Sequence, residues 1–296
     1  MACNRPGPPN YSLNWRSTMQ SPCLTPGWNA AITAALMAIL PGCVTKQAPE
    51  QKPTLEQELR SAGGFEWMLQ DPESRRAQIL ITEIVKDPNG RTQLRSHGYR
   101  VDAEYFYPAS AIKLCAAVAA LQLIETLEHT HGLADLAKAP LRIEPLFPGD
   151  RAQTIDDPKP PKVPLTVGRE IRKLCLVSDN PAFNRLFDLV GHAEMNQSMH
   201  ALGLNSVVIN HRLSESRKIP NPQAAAGVSF HPPGRPPILI APRTSDLKFA
   251  NSKPGLLVGS SYLQGDGKVD RPMDFTRRNG ISLVDLQGLL IKVVRP

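Results

Sequence analysis

The chain has 296 residues, 41% of them hydrophobic and 21% charged, enough to bury a sizeable core in one large domain or two small ones. Its 29 prolines and 20 glycines sit mostly in particular stretches, which excludes a collagen-like polymer, a coiled coil and disorder throughout. The net charge of +7 comes from Lys and Arg placed singly or in short pairs such as Arg75-Arg76 and Arg277-Arg278, and 5% aromatic content leaves few rings to stack on bases; this reads as a solvated surface and excludes a nucleic-acid partner.

Ala30 to Leu40 (AAITAALMAIL) is an apolar run too short to span a bilayer and of the right length for a signal-peptide core. Leu40-Pro41-Gly42-Cys43 follows. It resembles the bacterial lipobox, which implies that Cys43 is acylated and becomes the first residue of the mature protein. The segment before it is long and Pro-rich with only Arg5 and Arg16 as charges, so Met19 is an alternative start, and a short buried helix is the alternative reading of the run. Residues 1–43 are therefore expected to be a signal peptide, 44–54 a polar tether and 55–296 the folded domain. The expected location is the periplasm or cell envelope, with the protein anchored to the membrane through Cys43.

Within the body, residues 55–68 read as an opening helix. Residues 77–85 (AQILITEIV) read as a strand, Asp87-Pro88-Asn89-Gly90 as a turn and 92–98 as the returning strand. Residues 110–129 are apolar on nearly every face until the carboxyl end, which predicts a central helix surrounded by protein. Residues 154–164 read as a loop. Helices are expected over 166–176, from Asn180-Pro181 to Gly191, and over 193–202 closed by Gly203. Residues 210–254 look irregular apart from an apolar patch at 238–240, Gly265-Asp266-Gly267-Lys268 reads as a hairpin turn, and the last helix is expected over 282–294.

Ser110 and Lys113 stand three apart at the amino end of the central helix, one turn apart on one face. A Lys on an otherwise apolar helix is disfavoured as a cation, and a neutral amine beside a serine hydroxyl can take its proton. The spacing alone also fits a Ser cap with a snorkelling Lys. Ser178-Asp179-Asn180 adds a second element, a turn between two helices that can project a hydroxyl and an amide into a cleft.

Tyr107-Pro108-Ala109-Ser110-Ala111-Ile112-Lys113-Leu114 followed by Ser178-Asp179-Asn180 resembles the class A β-lactamase and penicillin-binding serine acyltransferase superfamily, from about residue 55 to the end. The resemblance implies an α+β fold, a helical domain with an antiparallel sheet domain only partly present. It also implies that Ser110 is the acylated nucleophile, Lys113 its proton acceptor, Ser178 a proton relay and Asn180 an amide donor to the substrate, with Asp179 orienting the turn. Glu215 is the only carboxylate in the stretch where the family keeps its deacylating base, though Asn221 rather than a closer Asn follows it. No Lys-Thr-Gly or Lys-Ser-Gly follows Asn180, and the expectation is a domain truncated at the carboxyl end. The implied partner is a β-lactam or a cell-wall peptide acting on a monomer without a cofactor. A penicillin-binding D,D-peptidase and an inert envelope lipoprotein that binds cell-wall peptide are the alternatives.

His129-Thr130-His131 lacks a third metal ligand, and the five cysteines include no C-x-x-C pair, so no metal is expected. Cys115 and Cys175 read as a disulfide or as two buried thiols packed in the core.

Overall fold

The structure, a computed structural model, describes residues 53–157 and 162–295. The chain divides into Met1–Gln51 and Lys52–Pro296, and the described residues belong to the second unit. The signal peptide expected over 1–43, Cys43 and residues 44–52 of the tether lie outside the described residues.

α1 (Leu55–Ala62) starts at Thr54, whose hydroxyl accepts from the Gln57 N–H while the Thr54 N–H donates back to Gln57 Oε1. Gly63 and Gly64 then take φ of 70° and 78°, outside the helical region, and a short α2 (Glu66–Leu69) follows. The one opening helix expected over 55–68 is thus two. β1 (Ile79–Lys86) and β2 (Thr92–Tyr99) form an antiparallel hairpin from Ile79↔Tyr99 to Lys86↔Thr92. Asp87 Oδ1 holds its turn by accepting from the Asn89 and Arg91 N–H groups.

The core is helical. α3 (Lys113–His131) buries Cys115, Ala116, Ala119, Ala120 and Ile124, and its small side chains let other helices approach closely. α4 (Val167–Val177), α5 (Asn180–Val190) and α6 (His192–Ala201) pack against it. α5 contributes Phe183, Leu186 and Phe187, all fully buried; burying a side chain of this size stabilises by about 1.5–3 kcal/mol. Two of these helices begin at side-chain caps. Thr166 caps α4, and Asp179 caps α5 by accepting from the Ala182 N–H at 2.6 Å, with Pro181 in the first turn. Gly191 joins α5 to α6 at φ 92°, and a Cβ there would lie 2.5 Å from Glu194 Oε2.

The strands are short and antiparallel. β3 (Leu141–Ile143), β7 (Val228–Phe230) and β8 (Ile238–Ile240) form a three-stranded sheet in the order β3-β7-β8, with Ile143, Val228 and Phe230 buried in the helical core. β4 (Ile155–Asp157) pairs with β5 (Val163–Pro164), and β6 (Ala224–Ala225) with β9 (Arg243–Thr244). β10 (Leu257–Val258) pairs with β13 (Met273–Asp274), and β11 (Tyr262–Gln264) with β12 (Gly267–Val269) around Gly265-Asp266. The loop expected over 154–164 and the irregular stretch over 210–254 therefore carry strands; most of those in 210–254 pair with segments that local pattern does not reveal.

α7 (Leu283–Val294) is capped by Ser282, which accepts from the Asp285 N–H, and it reaches the hairpin, where Thr82 donates to Gln287 Oε1 at 2.6 Å. Helices and small antiparallel sheets make the fold α+β.

Candidate active site

The site is built where α3 begins. Ala109 takes φ 45° and leads into a 3₁₀ turn, Ala109–Ile112, that runs straight into α3. In such a turn residues three apart eclipse one another, so Ser110 and Lys113 share one side. Their environments differ sharply. Ser110 is exposed, whereas Lys113 is 2% exposed among apolar neighbours.

Lys113 Nζ donates to Ser178 Oγ at 3.1 Å and, more closely, to the Ser178 carbonyl oxygen. Burial pushes its pKa below the ordinary lysine value, while the Asp179 charge acts in the opposite direction. Ser178 is able to meet the amine because it closes α4 in the left-handed region at φ 55°, which turns both its oxygens toward α3 while Asp179 starts the next helix. A non-glycine residue in that region costs about 1–3 kcal/mol. Ala109, Ser178 and Ser214 all adopt it near the cleft.

Ser110, Lys113 and Ser178 line one cavity of about 540 Å³. The opposite wall is apolar and comes from Leu283, Leu286 and Leu290 of α7. Lys113 is bonded to Ser178 and not to Ser110. Both cysteines are free, and Cys115 is buried as the second alternative had it, its thiol pushed up to about 12 by desolvation; for Cys175 the expectation needs correction, since it is exposed and lines the Ser110 cavity instead of packing in the core.

Asn180 and Glu215 are placed elsewhere. Asn180 Nδ2 donates to Ser214 Oγ at 3.0 Å. Glu215 lines a neighbouring cavity of about 280 Å³ together with Pro181, Asn184 and Ser214. Its carboxylate accepts from Arg217 at Nη2 (2.8 Å) and Nε (3.1 Å) and from the Arg217 N–H (2.9 Å). Burial acts to raise the Glu215 pKa, but these hydrogen bonds and the charges of Arg217 and Arg212 outweigh it and hold the carboxyl below its ordinary value.

One stripe of α5 organises this loop, and sequence reading missed it. Asn180 holds Ser214; Asn184 donates to the Leu213 carbonyl at 3.0 Å and accepts from the Leu213 N–H at 2.8 Å; Asp188 is paired with Arg212. Positions 180, 184 and 188 thus grip 214, 213 and 212 in turn, so the loop runs back along the helix. The signal was available as three short polar residues spaced by four on a helix whose other positions, Arg185 apart, are apolar. Arg212 is almost fully buried, also donates to the carbonyls of Pro222 and Ala224, and lies 4.5 Å over the Phe187 ring. Among the described residues no group of three or more His, Cys, Asp or Glu side chains is placed to hold a metal ion.

A family description for the beta-lactamase enzyme family matches residues 84–233, a span that contains Ser110, Lys113, Ser178, Asn180 and Glu215. Among solved structures, a beta-lactamase from Xanthomonas campestris pv. campestris is 21% identical over 52% of this chain and 55% of its own, with a TM-score of 0.32. The chain thus matches about half the length of that protein. No curated protein matches it. With half of its residues inside the matched span, the chain belongs to the beta-lactamase enzyme family.

Proposed function

We propose that the protein is a serine hydrolase that opens a β-lactam amide through an acyl-serine intermediate. The observation that carries this reading is the buried Lys113 amine, bonded to Ser178 and set in one cavity with the exposed Ser110 hydroxyl. Ser110 Oγ attacks the lactam carbonyl carbon while its proton passes to the neutral Lys113 amine. The carbonyl oxygen becomes an oxyanion, for which the Ser110 N–H in the first helical turn is a donor where the peptide dipoles favour negative charge. The C–N bond then breaks, and the lactam nitrogen takes the proton from Lys113 through Ser178 Oγ. Water completes the cycle by hydrolysing the ester. In this reading Asn180 exchanges its bond to Ser214 for one to the substrate, and Glu215 activates the water.

A second reading, a penicillin-binding D,D-peptidase, gains support from Glu215. Its carboxylate is engaged by Arg217 and lines the neighbouring cavity, an arrangement that suits slow deacylation. Export and anchoring through Cys43 are part of the proposal and rest on the apolar run 30–40 and the residues that follow it.

Both readings are separated by following a chromogenic cephalosporin together with the intact mass of the protein, with Ser110→Ala alongside. Sustained colour that Ser110→Ala lacks supports the hydrolase. A single stoichiometric burst with a persistent adduct supports the peptidase. Absence of both colour and adduct in the folded protein overturns serine acyl transfer, and saturable binding of cell-wall peptide that survives Ser110→Ala would then identify an inert binder.

A further inference from the structure

The cavity that holds Ser110 has two kinds of lining. Ser110, Lys113 and Ser178 supply its reactive polar groups, and five leucines, Leu114, Leu174, Leu283, Leu286 and Leu290, stand beside them in a space of about 540 Å³, within the usual range of small-molecule sites. Leu283, Leu286 and Leu290 are three and four residues apart, so they form one apolar stripe along α7, about 10 Å long at 1.5 Å per residue. The stripe is open to a ligand. Leu290 is 50% exposed, Leu283 and Leu286 are only partly buried, and Ser110 is exposed as well.

The longer polar side chains of this lining are already bonded within the protein. Gln287, on the same helix, accepts from Thr82 and donates to the Leu80 carbonyl at 3.4 Å, and Lys113 Nζ is turned to Ser178. A substrate with its carbonyl at Ser110 and its body along α7 therefore meets hydrocarbon over its length and polar atoms where bonds are to be made and broken. The complement of that arrangement is an acyl group with a hydrocarbon chain.

We propose, resting on the serine acyl-transfer reading above, that the Ser110 site also hydrolyses carboxylic esters whose acyl group is an unbranched hydrocarbon chain lying on Leu283, Leu286 and Leu290. Ser110 Oγ bonds to the ester carbonyl carbon as its proton passes to Lys113; the ester C–O bond breaks, and the departing alcohol oxygen takes that proton. Water then adds to the acyl-serine, releases the carboxylic acid and restores the hydroxyl. Each methylene seated on the stripe is withdrawn from water and favours acylation by about twofold to fourfold, the upper figure being the ~0.8 kcal/mol of a fully buried CH₂.

The test follows p-nitrophenolate release and the intact mass of the full chain with p-nitrophenyl acetate, butanoate and hexanoate, beside the chromogenic cephalosporin and Ser110→Ala. The expected result is a kcat/KM at least tenfold higher for hexanoate than for acetate, with an acyl adduct that Ser110→Ala lacks. Leu290→Gln and Leu286→Ala should each lower the hexanoate-to-acetate ratio several-fold. Val294→Gln, an exposed change on the same helix outside the cavity, should keep it. If the cephalosporin acylates Ser110 but hexanoate is no better than acetate, or if the folded double variant Leu286→Ala, Leu290→Gln keeps the preference, this proposal is overturned and serine acyl transfer stands. If neither the esters nor the cephalosporin leave an adduct on the folded protein, serine acyl transfer falls and the ester proposal with it.

Discussion

Lys113 shows how the burial of one side chain makes stability depend on pH. Its cationic form is disfavoured by burial, so its pKa in the fold lies below the value in the unfolded chain. Between those two values the unfolded chain binds more protons than the folded one, and stability rises with pH across that window until it levels off near the ordinary lysine value of 10.5. Lys113→Met removes this dependence. Other buried groups, Cys115 and Tyr105 among them, titrate upward and oppose it at high pH. The difference between thermal melts of the native chain and Lys113→Met from pH 6 to 10 isolates the lysine and should narrow in favour of the native chain as pH rises. In the proposed reaction the same substitution should slow acylation by about 10²–10⁴-fold, read as the rate of adduct formation. At this scale Ser110 and Lys113 were legible because a three-residue spacing is a local property of a helix. The engagement of Asn180 by Ser214 and of Glu215 by Arg217 was not, since each partner comes from a loop whose path no local pattern gives.

α5 does two jobs with two faces. Phe183, Leu186 and Phe187 bury one face in the core, and Asn180, Asn184 and Asp188 use the other to hold residues 212–214. Asn184→Ala would strand the Leu213 N–H and carbonyl, and denaturant unfolding should show a loss of about 1–3 kcal/mol. Arg212→Ala should lose about 3–5 kcal/mol, because it leaves the buried Asp188 carboxylate with only the longer 3.6 Å contact to Arg217. The existence of this helix was readable from Asp179, Pro181 and Gly191, which start and stop it by local chemistry. Its second face was open to reading as a polar stripe, but the identity of what it holds was not. The strands of the 210–254 region show the same limit: β6 and β7 are too short to carry a period, and β7 becomes a strand only because β3 and β8 flank it.

At the scale of the molecule, the hairpin β1–β2 leaves apolar surface open. Its two strands pair only with each other among the described residues, and Ile84 and Leu94, directly opposite across the hairpin, are 54% and 47% exposed. An open, apolar edge of this kind invites pairing between molecules. Light scattering at rising concentration should show self-association that Ile84→Lys reduces, with far-UV circular dichroism unchanged; equal scattering by both proteins would rule out the hairpin as the sticky surface. The sequence by itself determined the helices from α3 onward, the hairpin with its turn, and the pair of motifs that identify the family, because each depends on residues within a turn or two of one another. Tertiary structure alone decided that Lys113 faces Ser178, that Cys175 opens into the Ser110 cavity while Cys115 is enclosed, and that Glu215 belongs to the Arg217 network. Those outcomes turn on how helices and loops distant in sequence come together and desolvate particular groups, and burial of that kind is a property of the packed molecule.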